Sequence, residues 1–90
     1  MKHIHLTISG LVQEVGYRSW AVNQANKLGL SGWIKNLPDG KVEISAEGGN
    51  KELEQFITSC RKGPPAAGVD HMEAVWGKYT GKYCGFEVVY

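Results

Sequence analysis

Apolar residues in this chain recur with two different periods, and the order in which those periods follow one another leaves few ways to fold its 90 residues. From His3 to Ser9, Ile4, Leu6 and Ile8 alternate with His3, His5, Thr7 and Ser9, the pattern of a strand with one buried face. The rhythm then lengthens. Tyr17, Ala21, Ala25 and Leu28 recur at helical spacing with Trp20 and Val22 beside them, and Gly29 supplies the left-handed conformation that ends a helix. Two strands follow over Gly32 to Leu37 and Lys41 to Glu47, the second with Val42, Ile44 and Ala46 alternating against Lys41, Glu43, Ser45 and Glu47. Pro38-Asp39-Gly40 between them is the chemistry of a tight turn, so they form a hairpin. Leu53, Phe56, Ile57 and Cys60 then mark an amphipathic helix, with Asn50 placed to cap it, Arg61 and Lys62 at its end and Gly63-Pro64-Pro65 to stop it.

A strand from about Val69 to Tyr79, a turn region at Gly81-Lys82 and a last strand including Phe86, Val88 and Tyr90 complete the chain. Strand-helix-strand-strand-helix-strand plus a short final strand predicts an α+β fold. The expected architecture is a ferredoxin-like α/β sandwich over residues 1–90, an antiparallel sheet with two helices on one face. Hydrophobic residues at 42% and charged residues at 21% suit a single folded domain of this length.

The same composition excludes several functions. A net charge of +1, with no run of basic residues and no aromatic-rich RNP1 pattern, argues against a nucleic-acid partner. No apolar stretch approaches a membrane span, and Met1-Lys2-His3-Ile4-His5 lacks the core of a secretion signal, so the expected location is cytoplasmic. Cys60 and Cys84 form no CxxC pair and read as two reduced thiols. His3, His5 and His71 supply no metal-ligand set, and the first two are expected as surface residues of a half-solvated strand.

What remains is one stretch with chemistry in it. Gly10-Leu11-Val12-Gln13-Glu14-Val15-Gly16-Tyr17-Arg18 runs off a strand, turns through glycines and opens a helix. The first N–H groups of a helix have no intrahelical partner, and with the positive end of the helix dipole they attract phosphate. Arg18 at the mouth of this turn brings a planar fork of donors that holds two phosphate oxygens at once.

This stretch, together with Gly32-Trp33-Ile34-Lys35-Asn36-Leu37-Pro38-Asp39-Gly40-Lys41-Val42-Glu43, resembles the two signature blocks of the acylphosphatase family. The similarity extends over essentially the whole chain, including the order of elements and the spacing between blocks. The resemblance implies a metal-independent and cofactor-free hydrolase, a monomer acting on a small-molecule acyl phosphate. It implies that Arg18 binds the phosphate, that Asn36 orients the attacking water, and that backbone donors of Gln13, Glu14, Val15, Gly16, Tyr17 and Arg18 complete the cradle. It also implies that the loop and the strand bearing Asn36 meet at one edge of the sheet, which spacing alone does not show. Each residue has a duller reading, Arg18 as a solvated charge and Asn36 as a turn former. Trp20 and Trp33 read as packing residues.

Two positions depart from the family pattern. Glu14 stands where glycine is usual, and Leu11 where a basic or polar residue is common. A positive φ at Glu14 costs about 1–2 kcal/mol. A carboxylate within about 6 Å of the phosphate adds roughly 2–3 kcal/mol of repulsion at an effective dielectric near 20. The outcome ranges from no effect to near inactivity, so the alternative is a non-catalytic anion-binding or regulatory domain of the same fold.

Overall fold

The computed structural model describes all residues from Met1 to Tyr90. Five strands, β1 (Lys2–Leu11), β2 (Ser31–Asn36), β3 (Val42–Gly48), β4 (Gly68–Lys78) and β5 (Phe86–Val88), and two helices, α1 (Tyr17–Lys27) and α2 (Asn50–Lys62), follow in the expected order. The strands form one sheet in the order β4-β1-β3-β2-β5. β3 pairs antiparallel with both β1 and β2, and β4 pairs antiparallel with the other edge of β1. β5 differs from the all-antiparallel expectation. It lies parallel to β2, matching Gly32 to Phe86 and Ile34 to Val88, so the sheet is mixed.

The period-two positions face the helices. Ile4, Leu6 and Ile8 of β1, Ile34 of β2, and Val42, Ile44 and Ala46 of β3 are buried in one cluster. Tyr17, Ala21 and Ala25 of α1 and Leu53, Phe56 and Cys60 of α2 complete it. Each large aliphatic or aromatic side chain in such a core contributes about 1.5–3 kcal/mol. The cap of α2 is not the expected one. Gly49 occupies the capping position and Asn50 is the first helical residue, with no side-chain capping bond. The Glu52 side chain folds back against Gly49, and the Leu53 N–H donates to the Gly49 carbonyl, which starts the helix one residue early.

The other face of the sheet, expected to be solvated, is partly covered. β4 and β5 lie at opposite edges, so residues 79–85 must cross the sheet, and they do so over β3 as a strap. Glu47 is 1% exposed beneath it. Its carboxylate accepts hydrogen bonds from the Thr80 N–H (2.9 Å), the Thr80 hydroxyl (2.7 Å) and the Gly81 N–H (3.0 Å), and meets His3 Nδ1 at 2.8 Å. Ser45 Oγ lies 2.8 Å from the Tyr83 hydroxyl and 3.3 Å from His3 Nε2. Hydroxyl, imidazole and carboxylate follow in the order of a serine-hydrolase triad, but Ser45 is buried in mid-strand and bonded to Tyr83. The network therefore fastens the strap. His5 is likewise paired, with Glu43 at 2.8 Å. Both thiols are free, Cys60 buried in the core and Cys84 exposed on the strap, and burial pushes the Cys60 thiol up to about 12.

Burial by itself raises a carboxyl pKa, yet the donors from Thr80, His3 and Gly81 outweigh it and bring Glu47 from 4.5 down to about 2. A folded-state value below the unfolded one stabilises the fold above pH 4.5, and that contribution is lost as pH falls from there toward 2. Glu47→Gln should cost roughly 1.5–3 kcal/mol at pH 7, as expected for buried hydrogen bonds to a charged group. It should also flatten the acid limb of the stability curve, both read by urea denaturation across pH.

Candidate active site

β1 and β2 both run antiparallel to β3 and therefore parallel to each other, so the chain leaves both strands at the same end of the sheet. Val42 pairs with Ile8 on one side and with Asn36 on the other, which sets Asn36 level with the exit of β1. There the β1–β4 register shifts between Ser9 and Gly10. Gly10 has a φ of 125°, and a β-carbon on it would collide with the Gly68 carbonyl, so only glycine makes this bulge. The loop that follows hangs between two buried anchors. Val12 is one, and its N–H bonds the Gly10 carbonyl at 3.0 Å. Tyr17 is the other: its ring is buried against Trp20 at 5.4 Å, and its hydroxyl donates to the Cys60 carbonyl at 2.6 Å. Burial, and next to it the Cys60 thiol, push the Tyr17 hydroxyl pKa far upward, so it stays a donor.

Gly16, with a φ of 77°, turns the loop into α1. None of the N–H groups from Gln13 through Ser19 donates to a backbone carbonyl. The first turn of α1 carries no acidic residue, so nothing intrahelical competes with an anion for the positive end of its dipole. Five of those residues border a pocket of about 90 Å³, whose walls are Val12, Glu14 and Gly16 of the loop, Tyr17, Arg18 and Ser19 of α1, and Asn36 of β2. Arg18 and Asn36 thus share one small cavity. The Asn36 carboxamide oxygen is buried and has no hydrogen-bond partner, the only buried side-chain polar atom of the protein in that condition. A lone acceptor of this kind costs about 1–3 kcal/mol.

Gln13 and Val15, expected in the cradle, do not line the pocket. Val15 packs against the core, and the Gln13 side-chain amide donates to the Leu37 carbonyl at 2.8 Å and the Lys41 carbonyl at 2.9 Å. Gln13 thus ties the loop to the β2–β3 turn, which the Leu37 N–H closes on the Lys41 carbonyl at 2.8 Å. Sequence reasoning missed this brace, Val12 and Ser19 as wall residues, and Tyr90, whose ring lies 5.2 Å from the Arg18 guanidinium carbon. A larger groove of about 590 Å³ between α1 and α2 is bordered by charged and amide side chains such as Lys27, Lys51, Glu54 and Gln55 and gathers no set of groups with evident chemistry.

Glu14 is the one residue other than glycine with a positive φ, at 62°. The strain that the sequence made conditional is therefore present, while its side chain is exposed and forms no ion pair. Leu11 is exposed as well, and nothing in the structure accounts for it. Relief of about 1–2 kcal/mol of left-handed strain, less the roughly 0.5–1 kcal/mol that glycine adds to the unfolded chain's entropy, leaves a net gain. Glu14→Gly should therefore stabilise the fold by about 0.5–1 kcal/mol in equilibrium denaturation.

The comparisons with known proteins agree with this geometry. The acylphosphatase family pattern matches residues 4–88. An acylphosphatase of Methylococcus capsulatus is 42% identical over 99% of this chain and 97% of its own length. One of Thermus thermophilus is 44% identical over 90% and 92% respectively. The crystal structure of the Bacillus subtilis acylphosphatase superimposes with a TM-score of 0.96 at 33% identity, covering 100% of both chains. The chain belongs to the acylphosphatase family.

Proposed function

We propose that this protein hydrolyses the carboxyl-phosphate bond of small acyl phosphates, acting as a cytoplasmic monomer with one acylphosphatase-like domain over residues 1–90. The observation that carries the reading is the small cavity that Asn36, whose carboxamide oxygen is buried without a partner, shares with Arg18 and the loop residues Glu14 and Gly16. An acyl phosphate is a mixed anhydride, and its carboxylate is a weak enough base to leave without a proton. No general acid is required. The reaction needs a phosphoryl group with its charge neutralised and a water in line with the bond that breaks.

The residues divide that work. Arg18 takes two phosphoryl oxygens by its N–H fork, and the N–H groups of Gln13 to Arg18 take the remaining charge. Asn36 accepts a hydrogen from the attacking water and so aims its oxygen at phosphorus. The water oxygen bonds to phosphorus, the bond to the acyl oxygen breaks, its electron pair leaves with the carboxylate, and the water's proton passes to a phosphate oxygen or solvent. Gln13 holds the two halves of the site together through the β2–β3 turn.

Neither the family membership nor the shared pocket favours the non-catalytic alternative. Glu14 borders the pocket, but its side chain is exposed, so salt screens its charge and it weakens phosphate binding without abolishing turnover. Release of carboxylate from benzoyl phosphate tests the assignment. Arg18→Ala and Asn36→Ala should each lower kcat/KM by roughly 10²- to 10³-fold, the scale of losing one charge-stabilising or positioning donor or acceptor. Equal activity in wild type and both variants would refute it. Glu14→Gly should raise kcat/KM roughly 2- to 10-fold at low ionic strength and less at high, as removal of a screened like charge requires.

A further inference from the structure

The pocket that Arg18 and Asn36 share measures about 90 Å³, a fraction of the roughly 300–1,000 Å³ of pockets that enclose a whole small ligand. It takes the phosphoryl end of an acyl phosphate and leaves the acyl group outside. In-line displacement fixes the direction in which that group departs, because the leaving oxygen lies opposite the attacking water across phosphorus. Asn36 is the one wall residue from β2, and the others belong to the loop and the first turn of α1. With the water at Asn36, the acyl group therefore passes out along the loop and α1.

Only two of the residues around the pocket carry a formal charge, Glu14 and Arg18. Arg18 is occupied by the phosphoryl oxygens once substrate is bound, so the charge left for the acyl group to meet is that of Glu14. Nothing in the chain offsets it. Glu14 is exposed at the border of the pocket and forms no ion pair, and the first turn of α1 carries no other acidic residue. Its φ of 62° is held between the buried anchors Val12 and Tyr17, so the side chain leaves the loop from a fixed backbone.

We infer that Glu14 is a specificity residue that sorts acyl phosphates by the charge of the acyl group, favouring those that bear a cation and disfavouring those that bear a second anion. The inference rests on the proposed phosphate site and names the substrate class within it. An acyl group ending in an ammonium meets an opposite charge at the rim, and one ending in a carboxylate or sulfonate meets a like charge. For one pair of exposed charges the effect is about 1.5- to 5-fold, so a cationic and an anionic acyl phosphate separate by about 2- to 25-fold. Salt narrows that separation.

The experiment compares γ-(trimethylammonio)butyryl phosphate, γ-sulfobutyryl phosphate and neutral butyryl phosphate as substrates of wild type and Glu14→Gln, which removes the charge and keeps the size of the side chain. The ratio of kcat/KM for the cationic to that for the anionic substrate is read within each protein, so it does not depend on the fraction folded. Comparing the two ratios cancels the intrinsic reactivity of the anhydrides. At low ionic strength the ratio should fall about 2- to 25-fold from wild type to Glu14→Gln, with butyryl phosphate between the two charged substrates in wild type. At high ionic strength the wild-type ratio should approach that of the variant. Equal ratios in the two proteins at low ionic strength overturn the inference. A difference undiminished at high ionic strength would assign the discrimination to shape and overturn it as well. A wild type that hydrolyses none of the three sinks the proposed function itself, an outcome distinct from either of these.

Discussion

β3 is the partner that β1 and β2 share, and the site exists because of that double pairing. One strand read antiparallel from both sides makes its neighbours parallel, so the loop after β1 and the carboxamide ending β2 emerge together. Val42 is the residue through which that level is set, paired to Ile8 and to Asn36. A slip of one residue on either side would turn every buried isoleucine outward, so the register that makes the core is also the one that makes the pocket. Gln13 then ties the loop to the turn beyond Asn36 by two hydrogen bonds.

The two faces of the sheet are fastened by different physics. Toward the helices the contacts are apolar and their contribution scales with buried area. Toward the strap, β3 presents Ser45 and Glu47, and the carboxylate is stable there because four hydrogen-bonding contacts from Thr80, Gly81 and His3 replace its water. The strap crosses the end of the sheet remote from the phosphate loop, where Lys78 pairs with Lys2 and the Gly32 N–H bonds the Gly85 carbonyl. β5 then runs back toward the pocket. In the loop itself, local energy is spent on geometry: Glu14 holds a conformation that favours glycine, which is tolerated because the anchors at Val12 and Tyr17 over-determine the backbone between them.

Most of the fold was legible along the chain. The alternation of Ile4, Leu6 and Ile8, the helical spacing of Tyr17, Ala21 and Ala25, and the Pro38-Asp39-Gly40 turn all correspond to observed elements, since each reports a short-range period or a local dihedral preference. Family resemblance added Arg18 and Asn36 as a pair, and the structure places both in one cavity. The readings that needed revision concern longer range. Asn50 yields the cap to Gly49, the parallel pairing of β5 breaks the all-antiparallel pattern, and His3 and Glu47, which alternate like solvated positions, lie beneath the strap. Period-two patterning shows which residues share a face and is silent on what crosses that face.

The amino-acid order by itself determined the identity and succession of the elements, the glycines where the backbone needs them and the residue types able to bind phosphate, because these depend on neighbours a few positions apart. Only the tertiary structure decided that Glu14 has a positive φ, that the Asn36 oxygen is left without a partner, that Gln13 braces the neighbouring turn, and that Tyr90 lies against Arg18. Those are properties of strand register and of a connection spanning the sheet, and contacts between residues tens of positions apart leave no period in the sequence to read.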